Sequence, residues 1–242
     1  MILADLTTED ARALLARPRT AALVPVGSVE PHGPHLPLGT DTSISERAAS
    51  DAVALLLGRG IDAVVAPSVP YGVTHYAEGF PGALSVPREA LVGFLHAVAD
   101  ALLRDGWQRV AFVNNHLEPA HDAAVREAAS HFPGRVVVAC PLTRRWARTL
   151  SDEFKRGNCH AGRYESSLML AAGGSVKDDV RAELAPIATS LSDGIRDGKG
   201  TFAEMGLDRA YTGAPADATL EEGEALFAKL AEMVATEVLE SF

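Results

Sequence analysis

Short unbroken apolar runs alternate along the chain with longer stretches whose apolar residues recur every three or four positions. Residues 21–26, 61–66, 109–113 and 135–139 are of the first kind and read as buried strands. Residues 43–57, 88–104 and 119–131 carry the helical spacing, and 142–154 is expected to continue it. Local signals fix the ends. Ser43-x-x-Glu46 has the form of a capping box, Gly106 stops the second helix, and Pro119 suits the first position of the third. A short helix over 7–15 opens the chain, with Glu9 and Asp10 in its first turn. Thr219-x-x-Glu222 starts a closing helix to about Leu239. Residues 166–172 read as a short apolar helix. Residues 185–206, rich in Ser and Gly, are expected to form a mobile loop or lid.

The order β-α-β-α-β-α-β-α, with no hairpin turn between strands, predicts an α/β fold in one domain over 1–242. Such a pattern implies a parallel sheet with helices on both faces and right-handed crossovers. Ligands of such sheets bind outside the carboxyl ends of the strands. The Glu30 loop follows the first strand, His75 lies after the second, and His116 caps the third. All three polar clusters therefore fall on one rim.

Composition narrows the function. The chain has 242 residues, 47% hydrophobic and 22% charged, as an ordinary globular protein does. The net charge is −10 with no Lys/Arg block, which argues against nucleic-acid and anionic-membrane partners. Cys140 and Cys159 form no framework and no CxxC pair, so reduced thiols are the default. The acidic N-terminus has no basic n-region, and no apolar run reaches the roughly 20 residues of a bilayer span. A cytoplasmic location is expected.

The segment after the first strand carries the chemistry. Glu30, His32, His35 and Asp41 are interleaved with Pro31, Pro34, Pro37, Gly33 and Gly39. Prolines remove donors and glycines loosen the backbone, so this is a stiff loop rather than a helix. Glu30 and His32, two apart in an extended segment, leave on the same side. Carboxylate with imidazole suits zinc, manganese or iron. The bland alternative is a polar surface loop with two solvated histidines.

The phrase VPVGSVEPHGPHLPLGTD resembles the signature of the creatininase (creatinine amidohydrolase) family. VNNHLEPAHD stands where that family has an Asn-Gly-His segment, and CHAGRYESS where it has His-Ala-Gly-x-x-Glu-Thr-Ser. The resemblance implies a three-layer α/β/α fold with a mostly parallel sheet and a metal-dependent amidohydrolase. It implies two divalent metal ions per chain, and assembly as a homo-oligomer, often a hexamer. Carried over, Glu30, Asp41 and His116 would hold one ion, and His32, Asp41 and Glu118 the second, with Asp41 bridging. Glu165 is the alternative to Glu118, which is preferred because creatinine-hydrolysing members carry His-x-Glu, as here in His116-Leu117-Glu118. Hydroxide generated at the ions would attack the amide carbonyl. His160 would give a proton to the leaving nitrogen.

Other residues are open to more than one reading. His35 is assigned to holding the loop. Tyr71, Tyr76 and His75, on the loop over 67–87, are candidates to wall a substrate pocket, with a solvent-facing loop as the alternative. His96 and His131 read as surface or capping residues, and His121 as a neighbour of the site or as idle. A Cys159–His160 nucleophile is disfavoured because sequence neighbours point apart. No Gly-x-Ser-x-Gly elbow supports a serine nucleophile. The chain also departs from creatinine-hydrolysing members. Trp146 stands well upstream of the His-Ala-Gly segment, and Arg163 sits within it. A pocket more basic and less aromatic than a creatinine site is therefore expected, with Arg163 or Arg156 binding an anionic group. The reading that follows is cleavage of a C–N bond in a small, cyclic amide. Alternatives are deformylation of a formamidopyrimidine nucleotide, a mycofactocin-type peptidase, and a non-catalytic metal- or ligand-binding module.

Overall fold

The computed structural model describes residues 1–242. Strands β1 (Thr20–Val26), β2 (Asp62–Val65), β3 (Arg109–Asn114) and β4 (Val136–Ala139) form one sheet in the order β2-β1-β3-β4, every pair parallel. The helices are α1 (Thr8–Leu15), α2 (Thr40–Gly58), α3 (Arg88–Asp105), α4 (Pro119–Ser130) and α5 (Arg144–Ala147), then α6 (Asp152–Arg156), α7 (Arg163–Ala171), α8 (Asp178–Ala182), α9 (Leu191–Arg196) and α10 (Leu220–Glu240).

Alternation along the strands builds the layers. Ala21 and Leu23 of β1, with Ala111 and Val113 of β3, pack against α2, α7 and α10. Val24 and Val26, with Val110 and Phe112, pack against α3 and α4. Every residue of β1 is buried, as a central parallel strand covered on both faces must be. The three-layer α/β/α architecture and the parallel sheet agree with the expectation. The sheet is wholly parallel.

Topology then places a crevice. The chain leaves β1 through α2 to β2 on one side, and returns through α3 to β3 on the other side of β1. The loops after β1 and β3 thus depart toward opposite faces from adjacent strand ends, where Val26 pairs with Asn114. That divergence is where open α/β sheets bind ligands. Ser45 of α2 clasps it, donating to the Val26 carbonyl at 2.8 Å and accepting the Asn115 amide at 3.1 Å.

Three expectations need correction. The Ser43 capping box does not form: α2 begins at Thr40, and Asp41 lies in its first turn. Residues 142–154 are not one helix, because Ser151 caps a new one by accepting the Phe154 amide, leaving α5 and α6 as separate short turns. Residues 185–206 are not a bare lid. They contain α9, and Phe202, Met205 and Leu207 are buried in a small core of their own with Ala77 and Ala210. No helix is long and apolar enough to cross a membrane.

Candidate metal centre

Each chemical group reaches the crevice from a definite element. Glu30 and His32 come from the loop after β1, and Asp41 from the first turn of α2. His116 and Glu118 follow β3, where Asn114 Oδ1 accepts the His116 amide at 3.0 Å and turns the chain inward. His160 precedes α7, and Glu165 lies in its first turn. Ala161 takes a left-handed backbone (φ 48°), which brings its amide to 2.7 Å from Glu165 Oε2. Acids at helix N-termini also gain from the helix dipole.

All of these side chains are buried. His32 Nε2 lies 3.0 Å from Asp41 Oδ1, 3.5 Å from Glu165 Oε2 and 3.8 Å from Glu30 Oε1. His116 Nδ1 lies 3.0 Å from Asp41 Oδ2 and 3.3 Å from Glu30 Oε1. His160 Nδ1 lies 3.8 Å from Glu30 Oε1. The donor atoms form three sets, Glu30–Asp41–His116, His32–Asp41–Glu165 and Glu30–His32–His160, each with its atoms within 4.8 Å of one another.

The other nitrogen of each ring is tied to the backbone. His32 Nδ1 donates to the Glu30 carbonyl at 3.1 Å, His116 Nε2 to the Val73 carbonyl at 2.7 Å, and His160 Nε2 to the Pro31 carbonyl at 3.0 Å. A carbonyl only accepts, so each bond fixes the proton on that nitrogen and turns the remaining nitrogen toward the carboxylates. Thr74, buried beside them, donates its hydroxyl to Glu30 Oε2.

The electrostatics are strained in a telling way. Burial alone would lower the His32 pKa, yet Asp41, Glu165 and Glu30 hold it up to about 10. His116 is raised likewise, against its burial, by Glu30 and Asp41. Burial would raise Asp41 and Glu30, but the imidazoles pull both below the usual carboxylate range. Burial pushes Glu165 up to about 8, and lowers His160 to about 4 with the help of His32. Protons on His32 and His116 thus neutralise the acids. Asp41 Oδ2, buried and 3.0 Å from His116 Nδ1, makes no hydrogen bond of good geometry. A donor set of carboxylates and oriented imidazoles, with a poorly paired buried oxygen at its centre, fits divalent cations, which would replace those protons.

The structure separates two residues that the sequence left as alternatives. Glu165 stands in the cluster. Glu118, the preferred one, is outside all three sets, because its carboxylate accepts the backbone amides of His75 at 3.0 Å and Tyr76 at 3.2 Å. Glu118 faces the cleft, where burial raises its pKa. His35 is away from the donors, pairing with Ser166 Oγ at 2.8 Å.

A small cleft opens over the cluster. Tyr76, Leu117, Leu191, Ile195, Phe202 and Met205 give it an apolar wall. Phe202 lies over the His160 ring, centroids 4.5 Å apart. The lining has no Lys or Arg, so the expected basic pocket is not formed. Arg163 points elsewhere and pairs with Glu222 at 3.0 Å. Tyr71 is half exposed and His75 mostly exposed, and neither lines the cleft. Sequence reasoning missed Phe202 and Met205. Their signal was the apolar pairing of Leu191 with Ile195, four apart, inside a stretch read only for its Ser and Gly.

Comparison with known proteins agrees with this fold. The mycofactocin precursor peptide peptidase of Mycolicibacterium smegmatis is 34% identical over 216 residues, covering 86% of this chain and 80% of that protein. The creatinine amidohydrolase of Pseudomonas putida is 24% identical, covering 98% of this chain and 96% of that protein. A solved manganese creatininase superposes with a TM-score of 0.77 at 22% identity, covering 100% of this chain and 98% of that one. Residues 4–238 match the profile of the creatininase family, described as creatinine amidohydrolase, and the chain belongs to that family.

Proposed function

We propose that this chain is a metal-dependent amidohydrolase acting on small amides with an apolar flank, foremost the end of a short peptide. One observation carries the reading: three imidazoles, each locked through one ring N–H to a backbone carbonyl, present the other nitrogen to buried carboxylates. Glu30, Asp41 and His116 would hold one divalent cation, and His32, Asp41 and Glu165 a second. When bound, such cations lower the pKa of water and polarise a carbonyl.

The rest is the work of side chains. His160 Nδ1, left free by the bond from Nε2 to Pro31, takes a proton from water and hands it to the leaving nitrogen. Phe202 covers that ring and keeps bulk water from it. The apolar wall seats the flank of the amide. The peptide reading is favoured by this wall and by the 34% identity to a mycofactocin precursor peptide peptidase. A small cyclic amide is the second reading, favoured by the full-length match to a creatinine amidohydrolase. The nucleotide reading loses its support, since no cation lines the cleft.

The test is a zinc- or manganese-loaded screen of short peptides with apolar ends, lactams and N-formyl compounds. His160→Ala is expected to lower kcat by about 10²–10⁴-fold while metal content is kept. Unchanged turnover in His160→Ala would overturn the proton role. Full metal loading with no hydrolysis in any class would overturn the activity.

A further inference from the structure

His121 is buried beside the cluster without belonging to it. It lies in the first turn of α4, is 0% exposed, and its ring meets that of His116 at 72° with centroids 4.6 Å apart. Its Nδ1 accepts the Val73 amide at 3.2 Å. Its Nε2, which must then carry the proton, has no partner. A buried N–H left unpaired is costly, so the ring is a poor choice for filling space.

The geometry points to a positioning role for His121, acting on His116 through the backbone of Val73. Val73 is gripped from both sides. Its N–H goes to His121 Nδ1, and its carbonyl receives His116 Nε2–H at 2.7 Å. The neighbouring Gly72 is pressed onto the same ring, where an added Cβ would sit 2.5 Å from His121 Nδ1. The His121 lone pair therefore holds the Gly72–Val73 peptide, and with it the Val73 backbone, in place. The Val73 carbonyl, in the next peptide along, whose N–H is held by Ser85 Oγ, fixes the proton on His116 Nε2 and aims His116 Nδ1 at Asp41 and Glu30. A partner hydrogen-bonded to a ligand, here the Val73 carbonyl, is typically worth about 10–100-fold in metal affinity, the ceiling for a group that holds that partner. Loss of the acceptor would orphan the Val73 amide and loosen the seat of Val73 beside His116.

This inference rests on the reading of His116 as a metal ligand. It is tested by zinc affinity from chelator competition and by the visible spectrum of the cobalt(II)-loaded protein. Asn places an oxygen where His121 Nδ1 stands, whereas Gln carries its polar end one bond too far and Leu has no acceptor. The expected result is that His121→Asn binds zinc within about threefold of the wild type with the same cobalt spectrum. His121→Gln and His121→Leu should bind about 10–100-fold more weakly with altered cobalt bands. Should the Leu variant fail to fold, the Asn–Gln contrast decides. Equal affinity and identical spectra in every variant, or equal loss in Asn and Gln, would overturn the positioning role. Failure of the wild type itself to bind zinc would instead overturn the metal reading.

Discussion

Asp41 stands in two of the donor sets, and its charge is balanced by protons on His32 and His116. That balance gives the chelator-stripped protein a defined pH dependence. His32 holds its proton to about 10 in the fold against an ordinary 6.5, so the folded state binds the extra proton between those values. Stability from that proton is complete below the lower value and is lost as pH rises through the upper one. Glu165, raised to about 8 from 4.5, acts with the same sign. Asp41 and Glu30, held low, act oppositely and only in acid. The urea midpoint of stripped protein is therefore expected to fall steadily from about pH 6 to about pH 9. Added zinc should stabilise more as pH rises, because it needs neutral imidazoles. A flat or rising midpoint without metal would contradict the assigned protons. At this scale the sequence was legible where one loop carried the signal. Glu30, His32 and Asp41 could be picked out because Pro and Gly isolate them. Thr74 could not, since nothing in its own neighbourhood tells that it faces Glu30 from another loop. The position of Glu118 outside the donor sets was equally hidden, because it turns on amides of a third segment.

At the scale of elements, the segment with α9 and Phe202 is the wall of the cleft rather than a loose flap. Its small core is separate from the two main ones, and the Phe202 amide donates to the Tyr76 carbonyl at 2.7 Å. Phe202→Ala is accordingly expected to lower kcat/KM for amides with an apolar flank by about 10–100-fold, the range of a missing apolar contact, and to change N-formyl compounds little. Equal losses on both substrate types would mean that Phe202 serves only the local packing. Strands β1 to β4 were readable because a sheet covered on both faces demands continuous apolar runs. The break between α5 and α6 was not, because Ser151 decides it through one hydrogen bond inside an otherwise helical pattern. The start of α2 was misplaced for the same reason. A capping-box sequence is present at Ser43, but the turn through Pro37 and Gly39 has already begun the helix at Thr40.

At the scale of the whole molecule, the parallel sheet reverses its winding between β1 and β3 and the donors gather there. The order of elements made that rim predictable, whereas the depth and apolar character of the cleft depended on the irregular last third of the chain. Cations bound at such a site stabilise the fold by mass action, by about 2.7 kcal/mol per site at a hundred times Kd. Zinc titration is expected to raise the Tm of stripped protein, with Asp41→Asn shifting least because Asp41 stands in both of the proposed ion sites. A shift as large in that variant as in the wild type would place the ions elsewhere.

The segments that meet at Asp41 lie between residues 30 and 165, with β2, α3 and α4 threaded among them. An open chain therefore offers no ready-made nest for an ion. Digestion by a protease that cuts only opened molecules would then run faster in metal-starved medium, making the half-life of the chain a gauge of its trace-metal supply.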